Sequence, residues 1–403
     1  MYFFLVLRLL AVVVCVIAAW FLARGMFLLR KRSDHAVRKL IDAGVALLAA
    51  GGIAYALSGT SYPLRFAMPP DMQAMTMDAR PASLPLLSAL DFVMHSGSFE
   101  RVADIGRNPG DVPPPTNRTE PTTVQISIVA KEVIAEVAPG ISFNYWTYDG
   151  TVPGPMERVR VGDIVDLTLT NDPTSLHPHT IDLHAVTGPG GGASLTNVKP
   201  GESKSFRWLA KNPGLYVYHC ATSNVSTHNS HGQYGLILVE PEGGLPPVDK
   251  EFYLTQGELY TLGGIGKTGL VAFDSQGLVD GNPTYVTFNG KIDATPRLKA
   301  NVGDRVRIYV GNGGVNLISS FHVIGEIFDT VYPEGAMGDG SAAMHNVQTT
   351  AVLPGGSSIV EFTADVPGKY LVVDHALARM NKGAWAVLEV DGANQPNVFS
   401  AIR

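Results

Sequence analysis

Eleven histidines and two cysteines carry the most specific chemistry in this 403-residue chain. Most of the histidines crowd into a few segments. One runs Leu176-His177-Pro178-His179-Thr180-Ile181-Asp182-Leu183-His184, and another is Tyr218-His219-Cys220-Ala221, followed by His228 and Gln233. A lone strand histidine is ordinarily a satisfied core residue, and a lone cysteine an inert buried thiol. Here a Cys directly follows a His, and another His stands eight residues on, after a Pro-Gly-aromatic strand. One thiolate and two imidazoles in a near-trigonal plane, with a weak axial donor, form a blue electron-transfer copper site. Cys220 and His228 lie on one loop and can bind one ion. His179, from an earlier strand, can complete the plane, and Gln233 stands where the axial ligand belongs. His219 cannot share that ion, because neighbouring strand side chains point to opposite faces. Cys220 and His219 therefore face two different metals across one short covalent bridge, an electron-entry site wired to a reaction site.

What must position these residues is a β-sandwich, present twice. From about residue 123 the chain reads as short alternating strands with turns, as in Val161-Gly162-Asp163-Ile164-Val165-Asp166-Leu167-Thr168-Leu169. Val161-Gly162-Asp163 recurs as Val302-Gly303-Asp304, and Leu183-His184-Ala185-Val186 as Phe321-His322-Val323-Ile324. Pro200-Gly201 recurs as Pro354-Gly355, and Pro213-Gly214-Leu215-Tyr216 as Pro367-Gly368-Lys369-Tyr370. The offset grows along the chain, so the second copy holds an insertion, expected near 327–347. A repeat of this length is a duplicated domain with the strand spacing of a Greek-key sandwich. The expected fold is all-β, two tandem cupredoxin domains at 123–243 and 244–403. A chain of this length suits two domains plus extensions. Charged residues at 16% and hydrophobic ones at 45% exclude a disordered chain. A net charge of −6, with no Lys/Arg stripe, excludes a nucleic-acid partner. Cys15 lies in an apolar run, which excludes a structural disulfide with Cys220.

The N-terminus reads as a transmembrane hairpin over residues 1–58. Tyr2 to Leu29 is apolar except for Arg8 and Arg24, and Leu40 to Leu57 carries only Asp42 near its start. Each has about the ~20 residues that cross a bilayer. The loop Arg30-Lys31-Arg32-Ser33-Asp34-His35-Ala36-Val37-Arg38-Lys39 holds five basic residues, which places it in the cytoplasm. The expectation is a two-pass protein of a bacterial inner membrane, in contact with lipid, with its catalytic domains in the periplasm. A cleaved signal peptide is the rival, since Ala54-Tyr55-Ala56 has the right form, but it leaves the first apolar run unexplained. Residues 59–122, punctuated by prolines, read as a periplasmic linker, with a short helix possible within 84–105. Met68, Met72, Met75 and Met77 cluster in this linker; packing explains them better than delivery of Cu(I).

At the metal-binding segments the chain closely resembles the copper-containing, nitric-oxide-forming nitrite reductases. The motifs that carry the resemblance are His179-Thr180-Ile181-Asp182-Leu183-His184, Tyr218-His219-Cys220-Ala221-Thr222, Ser320-Phe321-His322-Val323-Ile324-Gly325 and Asp374-His375-Ala376, within roughly residues 123–395. The resemblance implies one-electron reduction of nitrite to nitric oxide in denitrification, with two coppers per chain. It implies type 1 copper on His179, Cys220, His228 and the residue at 233, and type 2 copper on His184, His219 and His375. Asp182 matches the proton-donating carboxylate, His322 the catalytic histidine and Ile324 the apolar cap over substrate. The family forms homotrimers in which a neighbouring chain supplies the third type 2 histidine, here His375. His231 and His345 take no role and read as surface or supporting residues.

Two features depart from the family pattern. The axial ligand is normally Met, and this chain has Gln233; most members are also soluble, without a hairpin. The hairpin raises quinol as an electron donor beside a soluble cytochrome or cupredoxin. A two-domain multicopper oxidase is the nearest alternative, but its cluster needs a histidine on each side of the Cys, and Ala221 follows Cys220. A copper-binding membrane protein without turnover has no use for Asp182 and His322.

Overall fold

Alternation of apolar and polar residues builds the outer strands: in Ser203–Leu209, Phe206 and Trp208 are buried while Ser205 and Arg207 face solvent. Tyr234–Glu240 is instead buried throughout, because its sheet is covered on both faces. The computed structural model describes residues 2–29, 35–59, 94–292 and 297–402.

The first sandwich uses β1 (Glu100–Val102), β2 (Thr123–Ala138), β3 (Ile141–Tyr148), β4 (Glu157–Arg160), β5 (Ile164–Asn171), β6 (Asp182–Leu183), β7 (Ser203–Leu209), β8 (Gly214–His219) and β9 (Tyr234–Glu240). The second uses β10 (Lys250–Leu259), β12 (Tyr285–Phe288), β13 (Arg297–Asn301), β14 (Arg305–Asn312), β15 (Ser319–Ile324), β16 (Thr330–Pro333), β17 (Thr350–Val352), β18 (Ser357–Thr363), β19 (Gly368–Asp374) and β20 (Trp385–Asp391), while β11 (Gly269–Leu270), between β10 and β12 in the chain, joins the first sandwich beside β3. The first pair of sheets runs β11-β3-β2-β5-β7, with β1 on β2, and β4-β9-β8-β6. The second runs β12-β10-β14-β18-β16 and β13-β20-β19-β15-β17. The duplication read from the sequence is visible in matching turns. Gly162 and Gly303 adopt φ 89° and 92°, which a side chain resists. Asp163 and Asp304, which follow them, each cap a backbone N–H three residues back. The expected insertion near 327–347 supplies β16, an extra edge strand on β18.

Each sandwich has its own core, one around Cys220, Ile181 and Leu183, the other around Phe321, Phe328 and Phe362. A third cluster of Leu215, Val217, Leu236, Leu238, Tyr253, Tyr309 and Ile359 joins them. Beneath it runs a chain of buried charges. Arg158 donates to Glu240 at 2.6 Å and to Glu251 at 2.9 Å, and Arg307 to Glu251 at 2.9 Å and Glu361 at 2.7 Å.

Residues 97–122, expected to be linker, belong with the sandwiches. β1 pairs in parallel with β2, Ile105 is fully buried, and Arg118 forks onto the Asp163 carboxylate at 2.8 and 2.7 Å. Proline lacks an N–H but keeps its carbonyl: Pro109 and Pro113 accept from Tyr253 N and Arg158 Nη1. The rest of the expected linker, 60–93, lies outside the described residues, as do its methionines and most of the span expected to hold a short helix.

The N-terminal unit is described by itself. Helices α1 (Tyr2–Leu29) and α2 (His35–Gly59) pack side by side through small residues, with Gly44 against Leu22 and Gly51 against Cys15. Among the described residues, no helix is long and apolar enough to cross a membrane. Side chains are described for residues 11–25 and 27 of α1 and 37–53 of α2. The expected spans run beyond these segments, so the bilayer crossing finds no support here; the helix pair itself is present.

Arg158 is the keystone of the charge chain, with its side chain 1% exposed. Arg158→Met strands Glu240 away from water without its cation, so we expect a loss of about 3 kcal/mol of stability, read as a lower urea midpoint. A loss below about 1 kcal/mol would show that Glu240 is not left as an uncompensated buried charge.

Candidate metal centres

His179 is pinned by a two-way backbone bridge to Val198, at 3.0 and 2.9 Å. Strand β8 ends at His219, and Cys220 begins the loop that returns through a short helix, Val225–Ser230, to β9. His228 lies in the last turn of that helix, and Gln233 immediately precedes β9. This geometry gathers donor atoms of His179, Cys220 and His228 within 4.8 Å of one another, all buried. His228 Nδ1 lies 3.3 Å from Cys220 Sγ and 3.3 Å from Gln233 Oε1. The sulfur also accepts from Thr180 N at 3.4 Å and lies 3.3 Å from Thr222 Oγ1. Burial alone raises the Cys220 thiol, but the His228 and His179 imidazoles outweigh it, and the thiol sits well below its ordinary value. Burial likewise lowers His179, while Cys220 and Glu132 lift it to about 9. Both His179 ring nitrogens are fully buried without a hydrogen-bond partner among the described residues. Orphaned imidazole nitrogens gathered with a buried thiol fit a soft metal such as copper.

A second cluster lies one residue away. The β6–β8 register sets Asp182 opposite His219, and His184 N donates to Val217 O at 3.0 Å. The Nε2 atoms of His184 and His219 approach to 3.0 Å, and Asp182, His184 and His219 present ligand atoms within 4.8 Å. Burial raises Asp182, offset in part by the two histidines; burial and His219 lower His184. A run of three glycines shapes the pocket. At Gly191 (φ 53°) a Cβ atom would fall 1.9 Å from Asp182 Oδ1, so no side chain fits there without displacing the carboxylate.

His322 and His375 lie together on the second sandwich, with ring centroids 5.3 Å apart. His322 Nδ1 meets Gln348 O, and His375 N donates to Ser320 O at 2.7 Å. Among the described residues, His375 does not join the Asp182, His184 and His219 cluster. His184, His375 and Ile324 are all exposed. One chain thus carries two separate histidine groups, one on each sandwich.

Residues 131–244 match the family model described as multicopper oxidase. The copper-containing nitrite reductase of Neisseria meningitidis serogroup B is 48% identical over 309 residues, 76% of this chain and 78% of that one. The Neisseria gonorrhoeae enzyme is 50% identical over 72% of this chain and 74% of its own. Among solved structures, the copper nitrite reductase of Nitrosomonas europaea is 34% identical, with a TM-score of 0.59, over 68% of this chain and 96% of that one. The chain belongs to the copper-containing nitrite reductases.

Within that family frame, the structure gathers His179, Cys220, His228 and Gln233 at one place and Asp182, His184 and His219 at another. His322, Ile324 and His375 stand apart from both. Two residues around the first cluster went unnoticed in the sequence. Glu132 on β2 is fully buried and held low, since His177 and His179 outweigh the effect of burial. Trp146 on β3 stacks on His231 at 4.2 Å and meets His177 and His228 at 4.4 and 4.6 Å. The available signal was a charge and a large aromatic ring at inward strand positions. His231 is correspondingly a buried supporting residue, lowered by its burial to about 3, whereas His345 lies at the surface against Asp329 O.

Copper loading is expected to give two ions per chain, one with strong thiolate-to-copper absorption. Cys220→Ser should abolish that band and leave the other ion bound, as read by metal analysis and visible spectra. An intact band in the variant would refute the blue-site reading.

Proposed function

We propose that this chain reduces nitrite to nitric oxide, with Cys220 and His219 joining an electron-entry copper to a reaction copper. The adjacency of the two donor clusters across one peptide bond carries this reading. The entry site uses His179, Cys220, His228 and Gln233 as type 1 ligands; the reaction site uses His184 and His219, with His375 from a neighbouring chain of a homotrimer. The two separate histidine groups on one chain favour that assembly. Bound copper supplies the one-electron chemistry and polarises the substrate. The chain supplies the protons: nitrite plus one electron and two protons gives nitric oxide and water. Asp182, raised by burial, holds a proton toward the substrate, and His322 supplies the second. Ile324 covers the substrate with an apolar surface. Multicopper oxidases share the fold: one solved example is 30% identical, with a TM-score of 0.54, over 67% of this chain and 88% of its own. The Ala221 that follows Cys220 argues against their larger copper cluster.

The electron supply forms the second part of the proposal. The apolar N-terminal helices anchor the enzyme to a bacterial inner membrane, with the sandwiches in the periplasm and quinol as donor. Gln233 offers a harder donor than a thioether, which favours Cu(II), lowers the entry-site potential and strengthens the drive toward the reaction site. A tether with a soluble cytochrome or cupredoxin donor is the competing arrangement.

Asp182→Asn and His322→Asn should each lower nitrite turnover by roughly 10²–10⁴, the span of a general acid–base residue, with copper content retained. Full turnover in either variant would remove its proton role, and a monomer in sedimentation would remove the trimer. For the electron supply, the full chain in lipid should turn over nitrite with reduced quinol. A chain starting at residue 60 should lose that activity and keep activity with dyes, and Gln233→Met should raise the entry-site potential. Equal quinol rates in both chains would leave the helices as an anchor alone, and an unchanged potential would dismiss the axial argument.

A further inference from the structure

Glu132 is buried on β2, opposite Trp146 in the β2–β3 register. Its Oε1 is crowded. Leu176 N and His177 N donate to it at 2.9 and 2.8 Å, His177 Nδ1 lies at 2.9 Å, and His179 Nε2 faces it at 3.4 Å. Its Oε2 is buried without a hydrogen-bond partner among the described residues. No lysine or arginine pairs with it among the described residues; its ion-pair contacts are the His177 and His179 imidazoles. A glutamine could accept both backbone N–H groups equally well without the cost of burying a charge. The anion therefore needs a reason beyond holding the loop.

The His179 ring provides one. Neither ring nitrogen has a hydrogen-bond partner among the described residues, but Nε2 faces Glu132, which leaves Nδ1 for a metal shared with Cys220. A carboxylate behind a ligating imidazole fixes its tautomer and raises its basicity. Charge balance points the same way. Cu(II) with one thiolate carries a net positive charge, which a buried carboxylate offsets, whereas Cu(I) with the same thiolate is neutral. The geometry points to Glu132 as the positioning residue of the entry site: it sets His179 with Nε2–H toward the carboxylate and Nδ1 toward copper, and it stabilises Cu(II) over Cu(I). His177 extends this contact outward, since its side chain is 35% exposed and its ring stacks on Trp146.

This inference rests on the blue-site reading, and the test separates the two. Wild-type protein and Glu132→Gln are loaded with copper, and Cu(II) affinity, entry-site potential and visible spectrum are compared. Glu132→Gln keeps shape and acceptor while removing the charge. The expected result is a Cu(II) dissociation constant raised by about 10–100-fold, together with a higher potential. Unchanged affinity and potential, with the thiolate band present, would overturn the role of Glu132 and leave it a loop staple. Absence of the thiolate band in the wild type would overturn the blue-site reading itself. Should Glu132→Gln not fold, imidazole ¹⁵N NMR of wild-type Cu(I)-loaded protein decides. A proton on His179 Nε2 supports the assignment, and one on Nδ1 overturns it.

Discussion

The structure turns on a single thiol held as an anion inside a protein core. Cys220 is fully buried, a position that disfavours charge, yet two imidazoles and hydrogen bonds to its sulfur keep it ionised. That arrangement fits a soft cation among the donors. It also dictates the rest, because the residue before Cys220 in the chain ends a strand and faces away. His219 is thereby delivered to a second cluster with Asp182 and His184, and the two centres cannot be moved independently.

The surrounding fold keeps this pair of centres in register. Backbone pairing sets Asp182 against His219, and Gly191 leaves room for the carboxylate. Strand β9 is buried on both faces because the second sandwich covers it, so the loop from Cys220 to Gln233 returns to a rigid wall. The buried chain from Glu240 through Arg158, Glu251 and Arg307 to Glu361 ties that wall to β10, β14 and β18. Such a network contributes geometry more than net stability, since desolvation consumes much of its attraction. His375 and Ile324 lie exposed on the second sandwich.

The ligands were legible because their spacing is local. Cys220, His228 and Gln233 share one loop, Asp182 and His184 share one strand face, and the tandem repeat pairs His322 with His184. The duplication was legible through turns whose glycines adopt positive φ. Glu132 was hidden: it lies 45 residues from His177 in sequence, and nothing local to β2 ties its inward position to a histidine. Trp146 was hidden in the same way, because its ring contacts come from two distant segments, around His177 and around His228 and His231. The stretch 97–122 read as linker from its prolines, yet their carbonyls are hydrogen-bonded to both sandwiches. The apolar N-terminal runs foretold two helices, and composition alone carried the further step to a bilayer.

The most direct test of the central claim is a single anaerobic turnover. Fully copper-loaded protein is reduced, freed of reductant and mixed with nitrite while thiolate-to-copper absorption and nitric oxide are followed together. The account predicts that the absorption returns as nitric oxide appears, because electrons at Cys220 drain through His219 to the site where nitrite is reduced. Absorption that stays bleached while nitrite persists, or that returns without nitric oxide, would contradict it.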